Sequence, residues 1–152
     1  MLTNVERTEL WGGWSLVLPG KCHTTRNEDR SWSAWDASHV IDVSIIETSG
    51  RADGSAAPPE VMMGSDTRGE VHTLDGALAR VFVDVAMTDT ADGSQPVEWT
   101  RVHAGADNSG LIMSIGNPGS RDAAWHEQIW RSLRHTPPRR GLGRFFGRRQ
   151  DS

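Results

Sequence analysis

The chain has no tyrosine, one lysine (Lys21) and one cysteine (Cys22) among its 152 residues. A single cysteine excludes an internal disulfide and points to a reducing compartment. No apolar run approaches the ~20 residues of a membrane span. The opening MLTNVERTELWGG carries two early glutamates where a secretory leader has its apolar stretch. The expected location is therefore cytoplasmic.

The scarcity of lysine leaves arginine to carry 15 of the 16 basic charges, and they are unevenly spread. Residues 1–138 hold 11 basic and 19 acidic side chains, a net of −8; residues 139–152 hold five arginines against Asp151, a net of +4. An acidic body lacks the basic surface that phosphate contacts require, so nucleic acid is not an expected partner.

Catalytic signatures are also missing. There is no Gly-x-Ser-x-Gly elbow and no Walker-type phosphate loop. A zinc-protease helix needs His-Glu-x-x-His, but Trp130 stands where the second histidine belongs after His126. His135, nine residues on, falls about 180° around a helix from His126, so the two do not share a metal. Cys22 and His23 are adjacent and point to opposite sides of a strand, which excludes a dyad between them. No catalytic residue, metal or cofactor is assigned, and the reading leans away from an enzyme.

What is present is an alternating pattern. Trp14, Leu16 and Leu18 alternate before a Pro-Gly turn, and one or two short strands follow around a turn near Asn27–Arg30. HVIDVSIIETS places Ile41, Val43 and Ile45 on one face. Pro58-Pro59 opens a single helical turn, and EVHTL is a short strand ending at Asp75-Gly76. ALARVFVDVAMTDT, VEWTRVHAG and GLIMSIGNPG read as an antiparallel meander, with ADGSQP as the first connection and Asp107-Asn108 as the second. SRDAAWHEQIWRSLRH is the one clear helix, with Ser120 as N-cap and Arg131, Arg134 and His135 in its last turn. Trp125, Ile129, Trp130 and Leu133 share a face about 140° wide that should lie on the sheet.

These elements predict one α+β domain over residues 1–136, an antiparallel sheet packed against a C-terminal helix, followed by a basic tail over 137–152. WSLVLPG near the start and GLIMSIGNPGSRDAAWHEQIWRSLRH near the end resemble, in element order, the PsbP-like α/β sandwich family over roughly residues 10–136. That family includes photosystem accessory proteins, a Ran-binding nuclear import factor and bacterial relatives. The resemblance implies a mostly non-catalytic, protein-binding role and carries over no catalytic residue. The chain departs from exported members in lacking a signal peptide or lipidated cysteine.

The favoured function is a non-catalytic protein-interaction module, its partner another protein or a second copy. Trp32 and Trp35 are candidate contact residues, because exposed tryptophan is enriched at binding sites. The tail supplies Arg139, Arg140, Arg144, Phe145, Phe146, Arg148 and Arg149, with glycines that disfavour a stable helix. It would dock on an acidic protein surface, or alternatively on an anionic membrane. A rival reading is a small-molecule or enzyme pocket between helix and sheet at His126, against a core-edge histidine bonded to its neighbours. Arg80 and Asp84 beside Phe82, and Glu98 and Arg101 beside Trp99, fit a solvated sheet face with cross-strand pairs. His72 and His103 lie on separate strands whose register the sequence leaves open.

Overall fold

A computed structural model of the chain describes residues 6–117 and 122–137. Its frame is an antiparallel sheet of β3 (His23–Arg26), β4 (Ser31–Trp35), β5 (Val40–Glu47), β6 (Glu70–Leu74), β7 (Ala77–Thr90), β8 (Gly93–Ala106) and β9 (Ser109–Gly116). The spatial order is β3-β4-β5-β9-β8-β7-β6, so the predicted meander β7-β8-β9 is present and β5 closes onto its far side. A smaller sheet, β1-β2-β10, joins β1 (Thr8–Glu9), β2 (Trp14–Leu16) and β10 (Arg134–His135). Two short helices, α1 (Pro59–Met62) and α2 (Ala123–Arg131), complete a mostly antiparallel β structure.

Register sorts the side chains. Paired residues point to the same side of a sheet, so Trp32–Val43–Met113–Val102 and Ala34–Ile41–Ile115–Thr100 are two rows on one face. Ile41, Val43, Met113, Ile115 and Val102 are each 1% exposed or less. Burying such side chains contributes roughly 1.5–3 kcal/mol each. Trp14 and Leu16 of β2, with Ile129, Trp130 and Leu133, cover this face and complete the core.

The closing helix is shorter than its periodicity predicts. Ser120 lies outside the described residues; Asp122 is the N-cap, its carboxylate accepting the Trp125 N–H at 3.2 Å. The helix stops at Ser132 because that hydroxyl accepts the Val17 N–H at 2.8 Å and donates to the Ile129 carbonyl at 2.6 Å. Arg134 and His135, predicted in the last helical turn, instead pair with Ser15 and Trp14 as β10.

The β7–β8 connection is also tighter than predicted. Thr90 pairs with Gly93 across a two-residue turn, and Gly93 takes φ +99°, where a side chain would be strained. Pro96 therefore sits inside β8, opposite Met87. Proline is tolerated there because β9 pairs with β8 only as far as Trp99, leaving this stretch an edge.

Candidate functional site

The second face of the large sheet is open over most of its width. The α1 turn covers one end, lying on Gly105 and Gly110, which pair with each other; a β-carbon on Gly105 would collide with the Pro59 carbonyl. Beyond α1 runs a polar belt. Arg101 donates to the Ser114 hydroxyl at 2.7 Å and lies 3.6 Å from Asp84, the cross-strand pairing that alternation on this face predicts. Arg68 pairs with Asp66 at 2.8 Å and lies over the Phe82 ring at 4.2 Å, which buries Phe82 on an otherwise wet face. His103 meets the edge of the same ring at 5.3 Å. Burial depresses the His103 pKa; Asp66 opposes this, and Arg68, Arg101 and Arg80 reinforce it.

His72 and His103 do not meet. His72 pairs with Ala79, which pairs with Ala104, so His72 is on the core face, 4.8 Å from the Trp130 ring. His103, one residue from Ala104, is on the other side.

One row of this open face collects aromatic side chains. Trp35 pairs with Val40, Val40 with Gly116 and Gly116 with Trp99, across β4, β5, β9 and β8. Trp99 leans over Gly116; a β-carbon there would come within 2.7 Å of the indole. Its N–H is held by Thr88 Oγ1 at 3.1 Å. Trp35, 39% exposed, stands on the other side of Val40. Between the two lies a cleft of about 280 Å³ whose lining includes Asp36, His39, Thr88 and Asp89.

A clamp of side chains holds the β4–β5 end of the cleft. His39 Nδ1 lies 2.9 Å from Asp36 and Nε2 lies 3.4 Å from Asp122, while its ring stacks on Trp125 at 3.9 Å. Burial pushes the Asp36 pKa up. The Ser38 N–H and both the ring and the N–H of His39 bond the carboxylate and outweigh that, so it stays below the usual range. Cys22, half-buried, is pushed the other way by burial and by Asp36, which leaves it a thiol of low reactivity.

A larger cleft of about 480 Å³ lies near the other end of β8, lined by Ala56, Pro59, Gly76, Asp107, Asn108, His135 and Pro137. Its walls offer small side chains and prolines with a single carboxylate, and the His135 Nε2 lies 3.1 Å from the Gly12 carbonyl.

Of the residues predicted from sequence, Trp35 lines the aromatic cleft. Trp32 does not: it is 2% exposed and belongs to the core. The two are three residues apart, an odd separation that puts them on opposite faces of one strand. His126 is 1% exposed, with Nδ1 2.8 Å from Thr100 Oγ1 and Nε2 2.9 Å from Asn117 Oδ1. The amide oxygen only accepts, so Nε2 carries the proton and Nδ1 accepts from the threonine hydroxyl. This is the core-edge histidine, not a residue aimed into a ligand pocket. Arg139, Arg140, Arg144, Phe145, Phe146, Arg148 and Arg149 lie outside the described residues. Sequence reasoning missed Trp99, Asp36 and Asp89 as neighbours; Gly116 inside a strand was the signal, since such a glycine marks close approach.

Among the described residues no group of three or more His, Cys, Asp or Glu side chains is placed to hold a metal ion, and no helix is long and apolar enough to cross a membrane. No family model matches the chain, and no curated protein matches it. Among solved structures, it is similar to a protein from Bacteroides thetaiotaomicron VPI-5482 whose crystal structure was determined at 1.50 Å. The TM-score is 0.64 at 9% identity, over 83% of this chain and 46% of that one, so this chain spans less than half the length of its neighbour. At that identity the likeness shows the fold alone.

Proposed function

We propose that the chain is a protein-interaction module whose contact element is the hairpin arm of β7 and β8. β6 pairs with β7 only as far as Val81, and β9 with β8 only as far as Trp99. Beyond those points the two strands continue to the turn at Ala91-Asp92 as a two-stranded ribbon. On one side of it Val83, Val85 and Met87 are 48%, 60% and 67% exposed. That uncovered stripe is the observation that carries the reading. A two-stranded ribbon is marginal in water, and an apolar edge strand is ordinarily blunted by charge or proline. Pro96 interrupts the β8 edge; β7 has no proline in this stretch, where its charges are Asp84 and Asp89. The fitting occupant is an extended strand of a polypeptide partner, adding to β7 by backbone pairing and covering the stripe with alternate apolar side chains.

The element order of strand, hairpins, meander and closing helix supports placing the fold in the PsbP-like sandwich class, whose mostly protein-binding character agrees with this reading. A cytoplasmic setting remains part of the proposal, with the single cysteine as its support. The arginine-rich segment 139–152 is proposed as an auxiliary contact for an acidic protein surface.

The test compares the full chain with Val85→Glu/Met87→Glu and with Ile46→Glu/Ile112→Glu, the latter pair exposed on β5 and β9. Self-association is read by sedimentation, and capture of partners from source cells is read by quantitative mass spectrometry. The arm variant should lose at least tenfold of the association while keeping its thermal midpoint, and the Ile46/Ile112 variant should keep both. Undiminished association by the arm variant overturns the proposal. Deleting residues 139–152 should weaken association at low salt more than at high salt.

A further inference from the structure

We propose that the segment after Pro137 seats on its own chain, in the cleft of about 480 Å³ near the far end of β8, with Phe145 and Phe146 against the apolar walls and Arg139 and Arg140 facing Asp107. This rests on the reading of that segment as a contact for an acidic protein surface, and it assigns the surface to the chain itself. Arg144, Arg148 and Arg149 are left for the partner contact.

The tether limits what can fill the cleft. Pro137 itself lines it, so the segment leaves from its wall. At no more than ~3.6 Å per residue, the Arg139 backbone lies within about 7 Å of Pro137. Phe145 and Phe146 follow within eleven positions of Arg139 to Arg149, and Gly141 and Gly143 stand before them, where the chain can double back without side-chain strain. A short flexible link holds an attached group at an effective concentration near millimolar. A second copy at micromolar concentration competes poorly against that. The volume lies within the ~300–1,000 Å³ of ordinary ligand pockets. Ala56, Pro59 and Pro137 give it apolar walls for aromatic rings that would otherwise stay in water.

Charge agrees with the tether. The described residues of the lining include Asp107 and no arginine or lysine. Asp107 is exposed, and no hydrogen bond or ion pair among the described residues engages its carboxylate. Burial lowers the His135 pKa, and Asp107 is among the groups that oppose it, so the carboxylate is within electrostatic reach of a ring that lines the same cleft. Glu60, next to Pro59, is exposed and unpaired in the same sense. The other acids nearby are already engaged: Asp75, before Gly76, holds Arg134 at 2.6 Å, and Glu47 holds Arg30. The uncommitted negative charge is therefore at the cleft, and the segment that leaves it carries a net of +4. Attraction of this kind between exposed groups weakens with salt.

The experiment compares the full-length chain labelled with 15N with Phe145→Ala/Phe146→Ala, which keeps every arginine. The amides of Ala56, Gly76 and Asn108 should shift in the variant, those of β3 and β4 should not, and a tenfold dilution of the parent should change neither set. A synthetic peptide of residues 137–152 is then titrated into the full-length chain and into a chain lacking residues 139–152. The shortened chain should bind it saturably with shifts at the same amides, severalfold more weakly after Asp107→Asn or at high salt. The full-length chain should bind it at least tenfold more weakly, because its own segment holds the cleft. Unchanged cleft amides in the phenylalanine variant overturn the seat, as does equal binding of the peptide by the two chains. Shifts that disappear on dilution also overturn it, in favour of a seat on a second copy. The phenylalanine variant should retain the salt-dependent association proposed for the arginines, so the two readings fail separately.

Discussion

His126, Thr100 and Asn117 form a closed polar triangle at the seam between α2 and the sheet. The imidazole bridges a β8 hydroxyl and the amide that follows β9. Asn117 Oδ1 also accepts the Asp122 N–H at 3.0 Å, so one amide ties the histidine to the residue that caps α2. Among the described residues no buried side-chain nitrogen or oxygen lacks a hydrogen-bond partner, and this triangle is part of the reason. Withdrawing one member of a buried network costs about 1–3 kcal/mol. Thr100→Val preserves the shape and removes the hydroxyl from Nδ1. The expected outcome is a loss of that size in urea unfolding, with the unfolding slope unchanged.

The α1 turn shows how a short element is held from beneath. With four residues it has little stability of its own. It is seated because Gly105 and Gly110 present bare backbone, into which the Pro59 and Met62 carbonyls settle. Asn108 fastens the approach to it: its Oδ1 accepts the Ala57 N–H at 2.7 Å, and its own N–H donates to the Ala57 carbonyl at 2.9 Å. Asn108 adopts φ +62°, which asparagine tolerates better than most residues. Gly105→Ala is expected to lift α1 off the sheet at a cost of roughly 1–3 kcal/mol, the usual range for overpacking. Hydrogen exchange should quicken at the Met62 and Met63 amides, which bond to Pro58 and Pro59, before it quickens in β8.

On the scale of the whole molecule, stability should depend on pH through two half-buried or buried histidines. Burial lowers the pKa of His135, against the bond to Gly12 and the nearby Glu47 and Asp107, and lowers that of His103 as well. A histidine with a lowered folded pKa binds fewer protons folded than unfolded, so stability rises with pH. The contribution is fully present above the ordinary value of 6.5 and is lost as pH falls below it toward the folded pKa. Asp36, also lowered, adds a second loss below the ordinary carboxylate value of 3.8. The thermal midpoint should therefore fall as pH drops from about 6.5 toward 5. His103→Gln should flatten that slope, because His103 rests on the open face and its removal leaves the core intact. A midpoint independent of pH across this interval would contradict the assignment.

Alternation made most strands legible: Ile41, Val43 and Ile45 alternate in the chain and are buried together, and the two sides of ALARVFVDVAMTDT were separable by parity alone. The stripe Ile129, Trp130 and Leu133 was legible for the same reason, since local geometry fixes which residues share a side. Parity does not say how far a neighbouring strand extends. Val83, Val85 and Met87 carry the same pattern as Ala79, yet they are exposed because β6 ends too early to flank them. Nor does a helical period show that Ser132 will bond to Val17 and release Arg134 and His135 to a strand. Trp35 and Trp99 stand 64 positions apart, and only the pairing of four strands sets them in one row. Periodicity, composition and charge asymmetry belong to the chain itself, because each depends on neighbours within a few residues. The exposed arm and the aromatic cleft belong to the tertiary structure, because both depend on the register and length of strands distant in sequence.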